Sequence, residues 1–163
     1  SMWAVAESLV ELDRDAEAVP IIDECLQRAV GKVVNPRMIP IVMELRLRRF
    51  EKTKDAAGCR ATAEIWEKLN RSDADSLYNA ACFPAVTAAV IKAAPGADAT
   101  RLATEEADRA MAWLQQAIAA GFTNADHMAK DTDLDALRDR EDFKKLVAEL
   151  EAAKAAEKPS AKP

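Results

Sequence analysis

The sequence predicts an all-α fold, and three observations support this class. Apolar residues recur at the 3.6-residue period of an α-helix along the chain, and no segment shows the strict alternation of a half-buried strand. Alanine, which loses no side-chain entropy on entering a helix, is abundant, whereas the 163 residues include only four glycines. Capping residues and helix-ending residues divide the apolar pattern into segments. We therefore expect antiparallel helical hairpins, with about seven or eight helices in all.

Four helices are predicted in the first 70 residues. In chain order they span about 3–12, 15–30, 35–50 and 55–69. Asp15 and Asp55 are predicted N-caps, because an aspartate oxygen can accept a hydrogen bond from a backbone N–H of the first turn. Asn35 followed by Pro36 predicts the start of the third helix, although Pro40 favours a start nearer to itself. The predicted inner face of this third helix consists of Met38, Val42 and Leu45.

The second half is predicted to contain a long hairpin followed by shorter helical segments. The fifth helix is capped by Ser72 or Asp73 and is expected to kink where the ring of Pro84 meets the carbonyl of Ala80. The later segments are a helix ended by Gly121, a short turn from Asn124 to Met128, a polar corner at 131–139 with Leu134 and Leu137 facing inward, and a last helix at 140–156. Residues 157–163 are predicted to form a disordered tail, and Ser1-Met2 resembles a cloning remnant, so that 3–156 would form one repeat domain.

A pattern of small, bulky and small side chains recurs on two predicted helices. The residues are Ala18, Ile22 and Cys25 in RDAEAVPIIDECLQRA, and Ala110, Leu114 and Ala117 in EADRAMAWLQQAIAAG. The pattern resembles the second helix of a tetratricopeptide repeat, and SLYNAAC resembles the start of a first helix. The resemblance implies a short α-solenoid of stacked hairpins. Its spacing departs from the family, because 41 residues separate Ala18 from Cys59 and 51 separate Cys59 from Ala110, against a period of about 34.

A second resemblance concerns the end of the chain. The segment AIAAGFTNADHMAKDTDLDALRDREDFKKLVAELEA, preceded by LYNAACFPAVTAAV, is similar to the closing part of repeat regions attached to bacterial serine/threonine protein kinases. The resemblance implies a protein-interaction module that recruits partners or substrates to a linked kinase. The sequence has no glycine-rich loop, His-Arg-Asp catalytic loop or Asp-Phe-Gly motif, so no enzymatic activity is expected of it. The alternative is a structural domain that self-associates and sets the oligomeric state of its parent.

Composition argues against several other functions. The net charge of -5 lacks the basic excess typical of nucleic-acid binding. No apolar run approaches the ~20 residues that span a bilayer, and the opening residues lack the basic region of a signal peptide. The odd count and spacing of Cys25, Cys59 and Cys82 fit neither a disulfide framework nor a zinc site, so we expect buried, reduced thiols and a cytoplasmic location. No cofactor, nucleic acid or membrane is expected, and the partner would be a protein or peptide, with a homo-oligomer as the alternative.

The candidate binding surface follows from the repeat register. Tetratricopeptide repeats hold peptides against the concave wall formed by their first helices. If Cys59 is the small position of its second helix, the resemblance places six polar side chains on such a wall. These candidates are Glu7, Glu11, Glu44, Arg48, Lys52 and Asn79.

Two charged stretches admit a functional and a structural interpretation. The basic stretch LRLRRFEKTK, which includes Arg46, could receive an acidic or phosphorylated peptide, or it could be a solvated helix face partly paired with Glu44 and Glu51. The run from Asp131 to Asp135 begins like a calcium-binding loop. Ala136 replaces the glycine that such a loop needs, which favours aspartates that cap short helices.

The single histidine and the three tryptophans also admit a functional and a structural interpretation. His127 has no catalytic partner signalled by the sequence, so we expect a surface residue on a short helical turn. Trp3, Trp66 and Trp113 could form a ligand-stacking set, but their helical positions favour packing in the core or between repeats.

Overall fold

The computed structural model describes residues 2–12, 14–31, 38–94 and 96–157. These residues form eight α-helices and one 3₁₀ helix, which confirms the predicted all-α class. The helices are α1 (Met2–Glu11), α2 (Asp15–Gly31), α3 (Met38–Lys52), α4 (Ala56–Lys68), α5 (Ala74–Ala93), α6 (Ala99–Ala119), α7 (Ala125–Lys130), the 3₁₀ helix (Thr132–Leu137) and α8 (Glu141–Glu157). The predicted helix start at Asn35-Pro36 and the predicted tail from Lys158 onward lie outside the described residues.

The chain divides into two compact units, Ser1–Asn70 and Arg71–Pro163, and each is described by itself. In the first unit α1 packs on α2, and α3 packs on α4. Short connections force the helices of each pair to run in opposite directions. Because α3 also contacts both α1 and α2, the second pair of this unit is stacked on the first. A stack that continues through all three predicted hairpins stays a prediction.

Helices α2 and α4 contribute to the core of the first unit, and two of the three patterned residues of α2 are buried in it. Ala18 and Ile22 of α2 are fully buried, and so is Cys59 of α4. Ala63 and Trp66 of α4 are also buried, which confirms the core interpretation of Trp66. Apolar residues spaced three or four apart on each helix therefore face a common interior.

The inner face of α3 is broader than the sequence pattern predicted. Val42 is buried as expected, but Leu45 is only half-buried, and the side chain of Met38 lies outside the described part of the structure. Met43 and Leu47 are fully buried instead. The reason is that α3 packs on α4 and also contacts α1 and α2, so its buried side must cover more than one neighbour, whereas the predicted stripe assumed one.

The structure confirms the predicted N-caps Asp55 and Asp73 and the predicted start at Asn124, whereas Asp15, also a predicted cap, is the first residue of α2. The side chains of Asp55, Asp73 and Asn124 each accept a hydrogen bond from the backbone N–H three residues later, at 2.9, 2.9 and 3.1 Å. Each bond satisfies a backbone donor that has no partner inside the helix. The starts of α4, α5 and α7 are therefore set by their own sequences.

The end of α6 is also set locally. Gly121 adopts a φ of 104°, a conformation that side chains with a Cβ rarely tolerate. The N–H of Phe122 donates to the carbonyl of Ala117 at 2.9 Å, and the N–H of Gly121 donates to Ile118 at 2.9 Å. This pair of bonds is a Schellman motif, which satisfies the last carbonyls of a helix. It confirms Gly121 as the predicted end of α6.

In the second unit α5 and α6 form a long hairpin, the 3₁₀ helix packs on α5, and α7 packs on α8. The helix α5 is buried along most of its length and continues through Pro84, while the predicted kink at Ala80 stays a prediction. Leu134 and Leu137 of the 3₁₀ helix are fully buried, as predicted, and join Leu114 in the core of this unit. The polar corner therefore anchors the C-terminal segment on the α5–α6 hairpin.

Candidate functional site

Three of the six predicted wall residues form one stripe along α3. Glu44, Arg48 and Lys52 are four residues apart, so they lie on the same side of the helix. Glu44 and Arg48 are half-exposed, and Lys52 is exposed. The guanidinium of Arg48 donates to Glu44 at 2.6 Å and to Glu51 at 2.9 Å. The charge of this stripe is therefore partly neutralised by ion pairs within its own helix.

The other three predicted wall residues lie on other helices, α1 and α5. Glu11 is exposed at the end of α1, a helix that contacts α3 in the same unit. Glu7 also lies on α1, but its side chain is outside the described part of the structure. Asn79 lies on α5 in the second unit, where it lines a separate pocket. A single wall shared by all six residues stays a prediction.

Arg46 is not at the surface, which corrects both interpretations of the basic stretch at this position. It is only 7% exposed. Its guanidinium donates to Asp23 on α2 at 2.7 Å, and to the Gly58 carbonyl at 3.3 Å and the Thr62 hydroxyl on α4. The same group lies over the ring of Phe50, 4.9 Å from its centroid. One buried cation on α3 thus links three helices of the first unit.

The spacing of residues along α3 does indicate that Arg46 is buried. Arg46 follows Val42 and Met43 by four and three residues, so it lies on the same side of α3 as these buried side chains. A basic residue in such a register must find acceptors when the helix packs. Arg48, by contrast, pairs with Glu44 and Glu51 as the solvated-face interpretation expects.

An open groove of about 620 Å³ lies beside this buried cation in the first unit. Leu26, Ile65 and Leu69 supply its apolar surface, and the polar residues that line it are Asp23, Gln27, Arg46 and Lys68. Its volume falls within the roughly 300–1,000 Å³ typical of ligand-binding sites. Its apolar residues come from α2 and from α4 and its C-cap Leu69, so it exists only when the two helix pairs are stacked. No sequence pattern predicts this groove.

A second pocket, of about 430 Å³, lies in the second unit and is more polar. Asp75, Asn79, Asn124 and His127 contribute polar groups to it. The phenol ring of Tyr78 also lines it. The structure therefore places the predicted wall residue Asn79 beside His127, a pairing that the repeat register did not indicate.

A polar network adjoins this pocket. Tyr78, which is 4% exposed, donates a hydrogen bond from its hydroxyl to Asp131 at 2.7 Å. Its ring stacks on Phe122 with centroids 4.3 Å apart. His127 Nε2 lies 3.5 Å from the same carboxylate, with its side chain about half exposed. Burial, and then the neighbouring Cys82 thiol and Asp131, raise the pKa of Tyr78 far above its ordinary value, so the phenol stays a donor.

The aspartate run has the structural role that the sequence favoured. Asp131 caps the 3₁₀ helix, since its carboxylate accepts a bond from the N–H of Asp133 at 3.0 Å. Arg138 donates to the Asp131 carbonyl at 2.9 Å and to the carboxylate of Asp135 at 2.5 Å. Within the described ranges, no three histidine, cysteine or acidic side chains come together in a way that could hold a metal ion.

None of the three cysteines forms a disulfide, and Cys59 and Cys82 are buried as predicted. Cys25 is only half-buried, because the buried side of α2 continues from Ile22 to Leu26, four residues later, and leaves Cys25 at its edge. Burial raises the pKa of Cys59 to about 12. Cys59 therefore remains a neutral thiol inside the first unit near pH 7.

In the part of the chain that the structure covers, no helix is both long enough and apolar enough to pass through a bilayer. Comparison with protein-family models, curated proteins and solved structures gives no match for this chain.

Proposed function

We propose that this protein is a non-catalytic interaction module that binds a segment of a partner protein. The observation that carries the proposal is the open groove of about 620 Å³, with an apolar surface supplied by Leu26, Ile65 and Leu69. An amphipathic helix commonly binds by laying its apolar side chains into a groove of this kind. The ion pairs of Arg48 with Glu44 and Glu51 argue against the α3 stripe as the main contact with a partner.

A selection of random 16-residue peptides displayed on phage tests this proposal. We expect the protein to enrich a family of peptides that share apolar residues at helical spacing and bind at micromolar concentrations. Chemical shifts of backbone amides on α2 and α4 should change on addition of the synthetic peptide. Absence of any enriched family after repeated rounds would contradict the proposal.

The resemblance to kinase-linked repeat regions extends the proposal to the parent protein. Under it, the module recruits partners or substrates to a serine/threonine kinase encoded in the same chain. The coding sequence upstream of Trp3 tests this part directly. A kinase catalytic domain there would support the parentage, and an unrelated domain would remove it.

Self-association is the second candidate function. It is favoured by large apolar side chains that are exposed in the first unit, namely Val5, Leu12 and Ile41, which are 50%, 66% and 47% exposed. Exposed apolar surface of this kind marks protein–protein contacts when it is contiguous. Sedimentation velocity between about 5 and 500 µM tests this candidate by mass action. A concentration-independent monomer would exclude it.

A further inference from the structure

The groove of the first unit has a defined arrangement of charges. Arg46 marks the same end of the groove on α2 and on α4, because it contacts Asp23 and Thr62, and the lining continues from there to Gln27 and Leu69. Asp23 and Ile65 therefore lie toward one end of the groove, and Gln27 and Lys68 lie one helical turn further along. The apolar surface continues between these ends.

The charge at the Asp23 end is already neutralised. Asp23 accepts a hydrogen bond from the Arg46 guanidinium at 2.7 Å, and Arg46 is otherwise held by the Gly58 carbonyl and the Thr62 hydroxyl. Removing Arg46 from these acceptors would leave buried polar groups unpaired, at a cost that a surface contact does not recover. We therefore do not expect a carboxylate of a ligand to replace Asp23 as the partner of Arg46.

The charge at the other end of the groove, on Lys68, is not neutralised in this way. Lys68 lies in the last turn of α4 and is exposed. Of the described residues that line the groove, Asp23 is the only one with a carboxylate, and that carboxylate is paired with Arg46. With Asp23 and Arg46 cancelling each other, Lys68 leaves the groove with one uncompensated positive charge beside an apolar surface.

We propose that the groove binds an amphipathic helix of a partner protein that carries apolar anchors and, one turn away, an aspartate or glutamate. The apolar side chains contact Leu26, Ile65 and Leu69, and the carboxylate pairs with Lys68. This inference rests on the proposed interaction function and specifies its partner chemistry. A basic helix is disfavoured, because it would bring a like charge to Lys68.

Charge reversal at Lys68 tests the inference, with Lys92→Glu as the matched control. Both lysines are exposed and occupy the last turn of an α-helix, but Lys92 lies on α5, in the second unit. Peptides are selected separately on the wild-type protein, on Lys68→Glu and on Lys92→Glu. Circular dichroism first establishes that both variants keep the wild-type helix content and unfolding transition.

We expect wild type and Lys92→Glu to enrich peptides with an acidic residue three or four positions from an apolar anchor. Lys68→Glu should instead enrich peptides with lysine or arginine at that position. For a single acidic peptide chosen on the wild type, Lys68→Glu should weaken binding roughly five- to tenfold, since one exposed attraction becomes a repulsion. Higher salt should reduce this difference, because exposed charges are screened.

Several results would overturn the inference. Enriched peptides without acidic bias, or an equal effect of Lys92→Glu, would show that Lys68 does not read the partner's charge. Peptides that shift amides elsewhere, such as those of the α3 stripe, would keep the interaction function but assign it to another surface. A dimer that Lys68→Glu dissociates would assign the groove to a second copy of the chain. No enriched family at all would remove both this inference and the function on which it rests.

Discussion

The hydrogen bond from Tyr78 to Asp131 joins residues 53 positions apart in the second unit. Its contribution to the free energy of unfolding can be measured. The substitution Tyr78→Phe removes only the hydroxyl, because phenylalanine keeps the ring that stacks on Phe122. The bond is short, 2.7 Å, its acceptor is a carboxylate, and its donor is 4% exposed. Hydrogen bonds to charged groups contribute about 1.5–3 kcal/mol.

The expected loss lies near the middle of that range. Asp131 keeps the bond from the N–H of Asp133 at 3.0 Å, so its carboxylate is not left without a partner. We therefore expect Tyr78→Phe to lower the free energy of unfolding by about 2 kcal/mol. For a chain of this size that corresponds to a fall in Tm of roughly 4–8 °C.

Urea unfolding followed by far-ultraviolet circular dichroism measures this loss, and a double-mutant cycle with Asp131→Asn isolates the pair. Asparagine keeps an oxygen that can cap the 3₁₀ helix, so the cycle reports mainly the charged bond to Tyr78. His127→Ala is the matched control, since it removes another neighbour of the same carboxylate. That side chain is half exposed and 3.5 Å away, so its loss should cost about 0.5 kcal/mol or less. A Tyr78→Phe variant as stable as wild type, or no more affected than His127→Ala, would refute this reasoning.

Three further predictions concern the first unit. Asp55→Ala should cost about 1 kcal/mol of unfolding free energy, because the N–H at the start of α4 loses its cap, and chemical denaturation measures it. Gly58→Ala should cost about 1–3 kcal/mol, since a Cβ there would lie 2.1 Å from the nearest ring atom of Phe50, whereas Gly96→Ala, with no atom within 4 Å, should leave the midpoint unchanged. Cys59 should resist iodoacetamide at pH 8 until the protein unfolds. Because burial raises its pKa from 9.0 to about 12, its contribution to stability is complete below pH 9 and is lost as the pH rises toward 12. Rapid alkylation of the folded protein at Cys59, or a flat stability profile between pH 9 and 11, would contradict this last prediction.

Helix boundaries were the most predictable part of this fold, because they depend on interactions within a few residues. Asp55, Asp73 and Asn124 cap the helices that follow them, and Gly121 ends α6. Each of these residues acts on backbone groups three or four positions away. Their roles can therefore be derived without knowing where any helix packs.

The candidate site could be predicted only in part, because part of it depends on contacts between helices that are distant in sequence. The stripe of Glu44, Arg48 and Lys52 follows from helical spacing on α3, while its place on a concave wall stays a prediction. The burial of Arg46 against Asp23 and Thr62 depends on neighbours 23 and 16 residues away. Periodicity reports which side of a helix a residue occupies, but not which polar groups the adjacent helices bring to it.

The amino-acid order alone determined that this chain is helical, where most helices begin and end, and that Ala18, Ile22, Cys59 and Trp66 lie inside. Tertiary packing decided that Arg46 is internal, that Tyr78 meets Asp131, and that an apolar groove ends at Lys68. The first set depends on short-range hydrogen bonding and on the 3.6-residue period. The second depends on contacts between helices distant in sequence, whose geometry no local pattern encodes.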